Sequence, residues 1–390
     1  MINRRRFLAG TTQLALLAGV PGLARTQDSL DSRFVFVILR GGMDGLSAVP
    51  PYAEAQYERL RGQLAIGADE VLKLDGTFGL HPSLSNMHSM YEDGDLAVLQ
   101  AVATPYRERS HFDGQNVLEN GTEVPGGQRD GWLNRAVGLN EFTHSAIAVS
   151  QNIPLVLRGD ASVTSWAPSR LPEADDDTLS RLMDLYANDP HLAGRLEEAV
   201  AARVVAGDMN GGRNNRGGQL GPIITAAGRF LSAPDGPRIA VLETGGWDTH
   251  ANQGAAQGAL ATRLRGLDQG MAALKRELGD VWQKTVVVVA TEFGRTVAVN
   301  GTRGTDHGTA GCAFVAGGAV RGGRVIADWP GLANRDLHEE RDLKPTLDMR
   351  AAFKGVLSEH FAVTPEELDR YVFPGSDNVA PLEGLIRTSA

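Results

Sequence analysis

Five short runs of apolar, β-branched residues, each cut off by glycine or a polar side chain, limit this chain more than any other feature. They are Phe34–Leu39 (FVFVIL), Leu96–Val102 (LAVLQAV), Arg238–Glu243 (RIAVLE), Thr285–Ala290 (TVVVVA) and Cys312–Ala316 (CAFVA). Runs this short and predominantly apolar read as strands buried on both faces. Helical patterns lie between them. Leu264, Leu267, Met271, Leu274 and Leu278 share one helix face, and 191–206, 347–361 and 84–91 also read as helices. Buried strands alternating with amphipathic helices predict an α/β sandwich around a central, mostly parallel sheet. Residues 207–221 (GDMNGGRNNRGGQLG) break the pattern and read as a Gly/Asn-rich surface loop. Nothing else suggests a linker or a repeat, so 25–390 reads as a single domain.

The first 24 residues stand apart. Arg4, Arg5 and Arg6 precede Phe7-Leu8, a moderately apolar stretch and a small-residue exit at Gly22-Leu23-Ala24. This resembles a twin-arginine export signal and predicts a periplasmic or secreted protein. The apolar part is short and broken by Thr11, Thr12 and Gln13, so no membrane span is expected. Removing the three leader arginines leaves 35 basic against 47 acidic residues, net −12. Such a surface repels nucleic acid and anionic lipid, and neither is expected as a partner. The single cysteine, Cys312, has no internal partner and reads as a small core residue.

In open α/β sheets the ligand site lies beyond the carboxyl ends of the strands. The polar residues of this chain collect there. FVFVILRGGMDG puts Asp44 after the first run, RIAVLETGGWDTH puts Asp248 and His250 after another, and TVVVVATEFGRT puts Glu292 and Arg295 after a third. The next loop, GTRGTDHG, adds Asp306 and His307. Converging carboxylates repel unless a cation joins them, and carboxylate with imidazole is a donor set for zinc or a similar divalent ion. Taken singly, each acid could equally cap a helix or brace a turn.

RSHFDGQNVLENGT (109–122) adds Ser110 at the start of an expected helix. It is either a nucleophile beside free helix N–H groups or an N-cap, with Asp113 completing a capping box. His111 and Asp113 could be the active pair instead, and Arg107 and Arg109 could grip an oxyanion. His81 could line the same face of the sheet, whereas His88, His144, His191, His338 and His360 read as surface or structural.

The leader, then RGGMDGL, SHFDGQ, GGWDTH, TEFGRT and GTDHG in that order, resemble an exported bacterial family of unknown function of the DUF1501 type. That family looks like a remote relative of the alkaline phosphatase and sulfatase superfamily. The resemblance implies an alkaline-phosphatase-like three-layer sandwich with two divalent metals bridged by a Ser or Thr nucleophile. It makes Ser110 the nucleophile, Asp44 a ligand after the first strand, and Asp248, His250 and His307 the ligands of one ion. Glu292 falls where the superfamily has an Asp-His pair for a second ion, but Phe293 follows it, so one zinc-like ion is expected with Arg295 supplying charge near a bound anion. The implied activity is metal-dependent hydrolysis of a small anionic phosphate or sulfate ester. The alternative is a secreted binding or assembly protein that keeps the fold without turnover.

Overall fold

Along Arg33–Leu39 the side chains divide between two cores. Val35, Val37 and Leu39 face one, and Phe34, Phe36 and Ile38 face the other. A strand's period of two makes this unavoidable when both faces are covered. The computed structural model describes residues 31–139, 146–168, 176–186, 189–206 and 220–387. The leader-like segment lies outside the described residues, and so does His144.

In chain order the strands are β1 (Arg33–Leu39), β2 (Leu72–Lys73), β3 (Gly79–Leu80), β4 (Leu96–Ala103), β5 (Ala146–Ala148) and β6 (Val163–Ser165). Then come β7 (Ile239–Thr244), β8 (Thr285–Thr291), β9 (Gly311–Ala316), β10 (Arg324–Ile326) and β11 (Leu347–Asp348). β2 and β3 form a small antiparallel pair. The main sheet runs β10-β4-β9-β8-β1-β7-β5-β6, with β11 alongside β4. Its pairings are parallel except those of β9, which runs antiparallel to both β4 and β8.

Helices cover both faces, giving the expected three layers with a mostly parallel central sheet. Ser85–Glu92, Leu220–Ser232 and Ala259–Leu278 lie on one side. His111–Asn120, Trp132–Gly138 and Met349–Phe361 lie on the other. Leu264, Leu267, Met271, Leu274 and Leu278 are all buried, as their spacing predicts. Each contributes roughly 1.5–3 kcal/mol of apolar burial. Cys312 is buried in the same core, which pushes its thiol pKa up.

The expected loop 207–221 runs two residues too far. Leu220 and Gly221 open the helix Leu220–Ser232, and Leu220 is buried. Pro222 sits in that first turn, where a missing N–H costs nothing; the rest of the segment lies outside the described residues. Among the described residues, no helix is long and apolar enough to cross a membrane.

Candidate metal centre

The strand directions bring the motif loops to one rim. β1, β4, β7 and β8 end there, and the antiparallel β9 starts there, so the loop carrying Asp306 and His307 arrives from the same side. Two glycines let the loops close up. At Gly41 (φ +124°) a Cβ would stand 2.6 Å from the Asp248 backbone nitrogen, and at Gly42 (φ +64°) it would stand 2.8 Å from the Phe293 ring. Side-chain-bearing residues rarely adopt such φ values, and here they would also clash.

Three imidazoles and one carboxylate meet at this rim. His250 Nε2 lies 2.9 Å from His307 Nε2. Asp248 Oδ1 lies 3.1 Å from His250 Nε2 and 3.3 Å from His307 Nε2. Asp248 Oδ2 lies 3.4 Å from His111 Nε2. Every ring is held from behind through Nδ1. His250 Nδ1 donates to Asp306 Oδ1 at 3.1 Å, His307 Nδ1 to the Arg109 carbonyl at 2.9 Å, and His111 Nδ1 to Glu292 Oε1 at 2.7 Å. Acceptors at all three Nδ1 atoms place the proton there, as assigned from the partners, and turn each Nε2 inward. His111 Nε2 is buried and has no hydrogen-bond partner among the described residues.

Phe293 packs against this cluster, its ring centroid 4.9 Å from that of His111 and 5.1 Å from that of His307. Glu292 is fully buried. Gly41 N at 2.8 Å and Gln115 Nε2 at 3.0 Å donate to its Oε1, and Thr291 Oγ1 donates to Oε2 at 3.0 Å. Burial alone would raise its carboxyl pKa, but the bonds from His111, Gln115 and the backbone outweigh it and hold it below the usual carboxylate range. The Glu292 bond in turn raises the pKa of His111. Burial lowers His307. Asp248, despite partial burial, is held low chiefly by Arg295.

Ser110 occupies the N-cap position of His111–Asn120, yet its side chain makes no cap bond. The expected capping box is absent; Asp113 instead accepts from the Tyr106 hydroxyl at 3.4 Å. Arg109 takes a left-handed φ of +62° just before the N-cap, and its carbonyl accepts from His307. Its guanidinium is occupied elsewhere, donating to Asp342 Oδ2 at 2.8 Å and to Glu339. Arg107 donates to the Thr104 and Tyr106 carbonyls.

Two further expectations are corrected. Asp44 does not join the cluster: it is buried, caps Gly45–Ala48, and is saturated by Ser47, by Gln253 Nε2 at 2.7 Å and by the buried Arg61. It therefore forms no shared charge centre with Glu292. Arg295 is not an anion grip either. Its side chain is fully buried and donates to the Gly42, Thr305 and Trp247 carbonyls and, at 2.6 Å, to Asp248 Oδ1. Asp306 is at the site, but behind His250 rather than in the inward-facing set. His81 is buried and bonded to the Ala255 carbonyl and the Ser83 N–H, away from the cluster.

The donor set suits a divalent cation. His111, Asp248 and His307 offer ligand atoms within 4.8 Å of one another, and His250 Nε2 adjoins two of them. Tetrahedral zinc with nitrogen ligands at about 2.0 Å spaces those ligands about 3.3 Å apart, close to the separations between the Asp248 carboxylate and each of the three rings. Acceptors behind each ring are the usual support of metal-binding imidazoles.

The chain matches the family described as "Protein of unknown function (DUF1501)" over residues 31–371. It belongs to that family. No curated protein matches it. Among solved structures, this DUF1501 chain is similar to a protein from a Bacteroides thetaiotaomicron locus for metabolism of multiple glycosaminoglycans, at 10% identity and TM-score 0.41, covering 90% of this chain and 75% of that one. It is similar to the phosphonate monoester hydrolase of Agrobacterium radiobacter, at 12% identity and TM-score 0.35, covering 84% and 73%. A murine ectonucleotide pyrophosphatase/phosphodiesterase 5 is matched at 10% identity and TM-score 0.31, covering 68% of this chain and only 57% of that one. Likeness at this level says nothing about chemistry.

Several residues around this rim are not assigned a role by the sequence reading. Gln115 was inside the SHFDGQ motif, and its i, i+4 spacing from His111 was the available signal. Phe293 stood out only as the residue where a second histidine was expected. Asn300, which donates to Asp306 Oδ1 at 3.0 Å, and Asp342, which holds Arg109, gave no signal at all.

Proposed function

We propose that the rim binds one divalent ion, zinc by its nitrogen-rich donors, through His111, Asp248, His250 and His307, and hydrolyses a small phosphate or sulfate ester. The observation carrying this reading is the head-on approach of His250 Nε2 and His307 Nε2, 2.9 Å apart, with both rings holding their protons at the far nitrogen. Two lone pairs so placed repel unless a cation or a shared proton lies between them. The ion would act as a Lewis acid on an ester oxygen. Ser110 is the nucleophile in this reading, its hydroxyl left without a cap bond beside His111 and at a helix N-terminus whose N–H groups favour an anion. Asp306, Glu292 and the Arg109 carbonyl hold the three rings in place. The leader-like residues 1–24 support export to the periplasm or beyond.

A second reading, a secreted binding protein without turnover, is favoured by one observation. Asp44 and Arg295 are both consumed by protein partners, which leaves no second charge centre among the described residues. The two readings separate on p-nitrophenyl phosphate and p-nitrophenyl sulfate. Hydrolysis by metal-loaded protein that disappears in Ser110→Ala supports the enzyme. Turnover unchanged by Ser110→Ala removes the nucleophile, and a metal-loaded wild type without turnover favours the binding protein.

A further inference from the structure

His111 and Gln115 stand one turn apart on the same helix, and both donate to the same oxygen, Glu292 Oε1, at 2.7 and 3.0 Å. Gln115 is itself fixed in orientation. Its Oε1 accepts from Arg40 Nη1 at 3.0 Å, so its amide NH2 must point the other way, toward Glu292. Arg40 is anchored in turn by Glu119 at 2.8 Å and Glu243 at 2.7 Å, and those carboxylates favour its charged form. The chain from Arg40 through Gln115 to Glu292 ends on His111 Nδ1, and the opposite nitrogen of that ring is the buried Nε2, which has no hydrogen-bond partner among the described residues.

We infer that Gln115 is a positioning residue: it fixes the Glu292 carboxylate so that His111 carries its proton on Nδ1 and presents Nε2 as a bare donor toward Asp248. Without the amide, Oε1 keeps only Gly41 N and His111 while Oε2 keeps Thr291 Oγ1, so the carboxylate is held by three donors instead of four. A carboxylate held more loosely imposes the ring tautomer and the ring angle less strictly. The inference uses the metal reading only for its second consequence, which is that Gln115 sets the affinity of the site for a divalent ion.

The test uses Gln115→Leu, or Gln115→Met, which keeps the length, if the leucine variant does not fold. In metal-free protein, ring-nitrogen NMR on labelled histidine at alkaline pH should show His111 protonated at Nδ1 in the wild type and a tautomer mixture in the variant. Zinc affinity, read by competition with a chromophoric chelator, should fall about 10–100-fold in the variant. That loss should vanish when Gln115→Leu is placed in a His111→Ala background, because the route runs through His111. An unchanged His111 tautomer in the folded variant overturns the inference, as does an equal affinity loss in both backgrounds. If wild type binds no zinc but the variant still scrambles the tautomer, the inference stands and the metal reading falls.

Discussion

Asp306 Oδ1 lies 3.1 Å behind His250 Nδ1, so the carboxylate fixes the ring whose other nitrogen faces His307. Asp306 is half exposed and anchored by Asn300, so it can be changed with little damage to the fold. Asp306→Asn should lower zinc affinity about 10–100-fold while leaving the melting temperature nearly unchanged. Chelator competition and circular dichroism check the two halves separately.

Arg295 distinguishes a structural from a catalytic cation. Its buried guanidinium satisfies three carbonyls and the Asp248 carboxylate. Arg295→Met leaves all of them without their donor and should cost about 3 kcal/mol in urea unfolding. An arginine serving only a bound anion would lose activity without that loss of stability.

Ser110 gives the converse expectation. Replacing an N-cap serine by alanine ordinarily costs about 1 kcal/mol, because a side-chain bond to the helix is lost. Ser110 makes no such bond. Ser110→Ala should therefore shift the melting temperature very little while abolishing ester hydrolysis.

Acid should weaken the fold through His360. Burial lowers its pKa from 6.5 to about 4, while its Nε2 donates to the Arg33 carbonyl. The unfolded chain binds a proton near the ordinary value that the folded state refuses, so stability is intact above pH 6.5 and falls as pH drops toward 4. The full loss from this one group is about 3 kcal/mol. His360→Gln should flatten that part of a urea-unfolding pH profile.

How much of this was legible in the sequence depended on whether a residue's role is local. β1, β4, β7, β8 and β9 follow from predominantly apolar runs, and their ends lie within a residue or two of those expected. The two- and three-residue strands β5, β6, β10 and β11 carry no periodicity to detect. Asp248 and His250 were recognisable because position after a strand already places them at the rim, and His307 because its Asp-His-Gly turn stands in the loop before the next strand. The partners of Asp44 and Arg295 were not. Gln253 reaches Asp44 from 209 residues away and Arg61 from 17, neither at a periodic spacing, and the carbonyls around Arg295 carry no side-chain signature. Sequence showed where the charges gather but not which of them neutralise one another.

The most direct measurement is zinc binding to purified, metal-stripped protein by calorimetry, repeated with His307→Ala. The account predicts one ion per chain in the wild type and none held tightly by the variant. A folded wild type that takes up no zinc or other divalent ion, or a His307→Ala protein that binds as tightly as wild type, would contradict it.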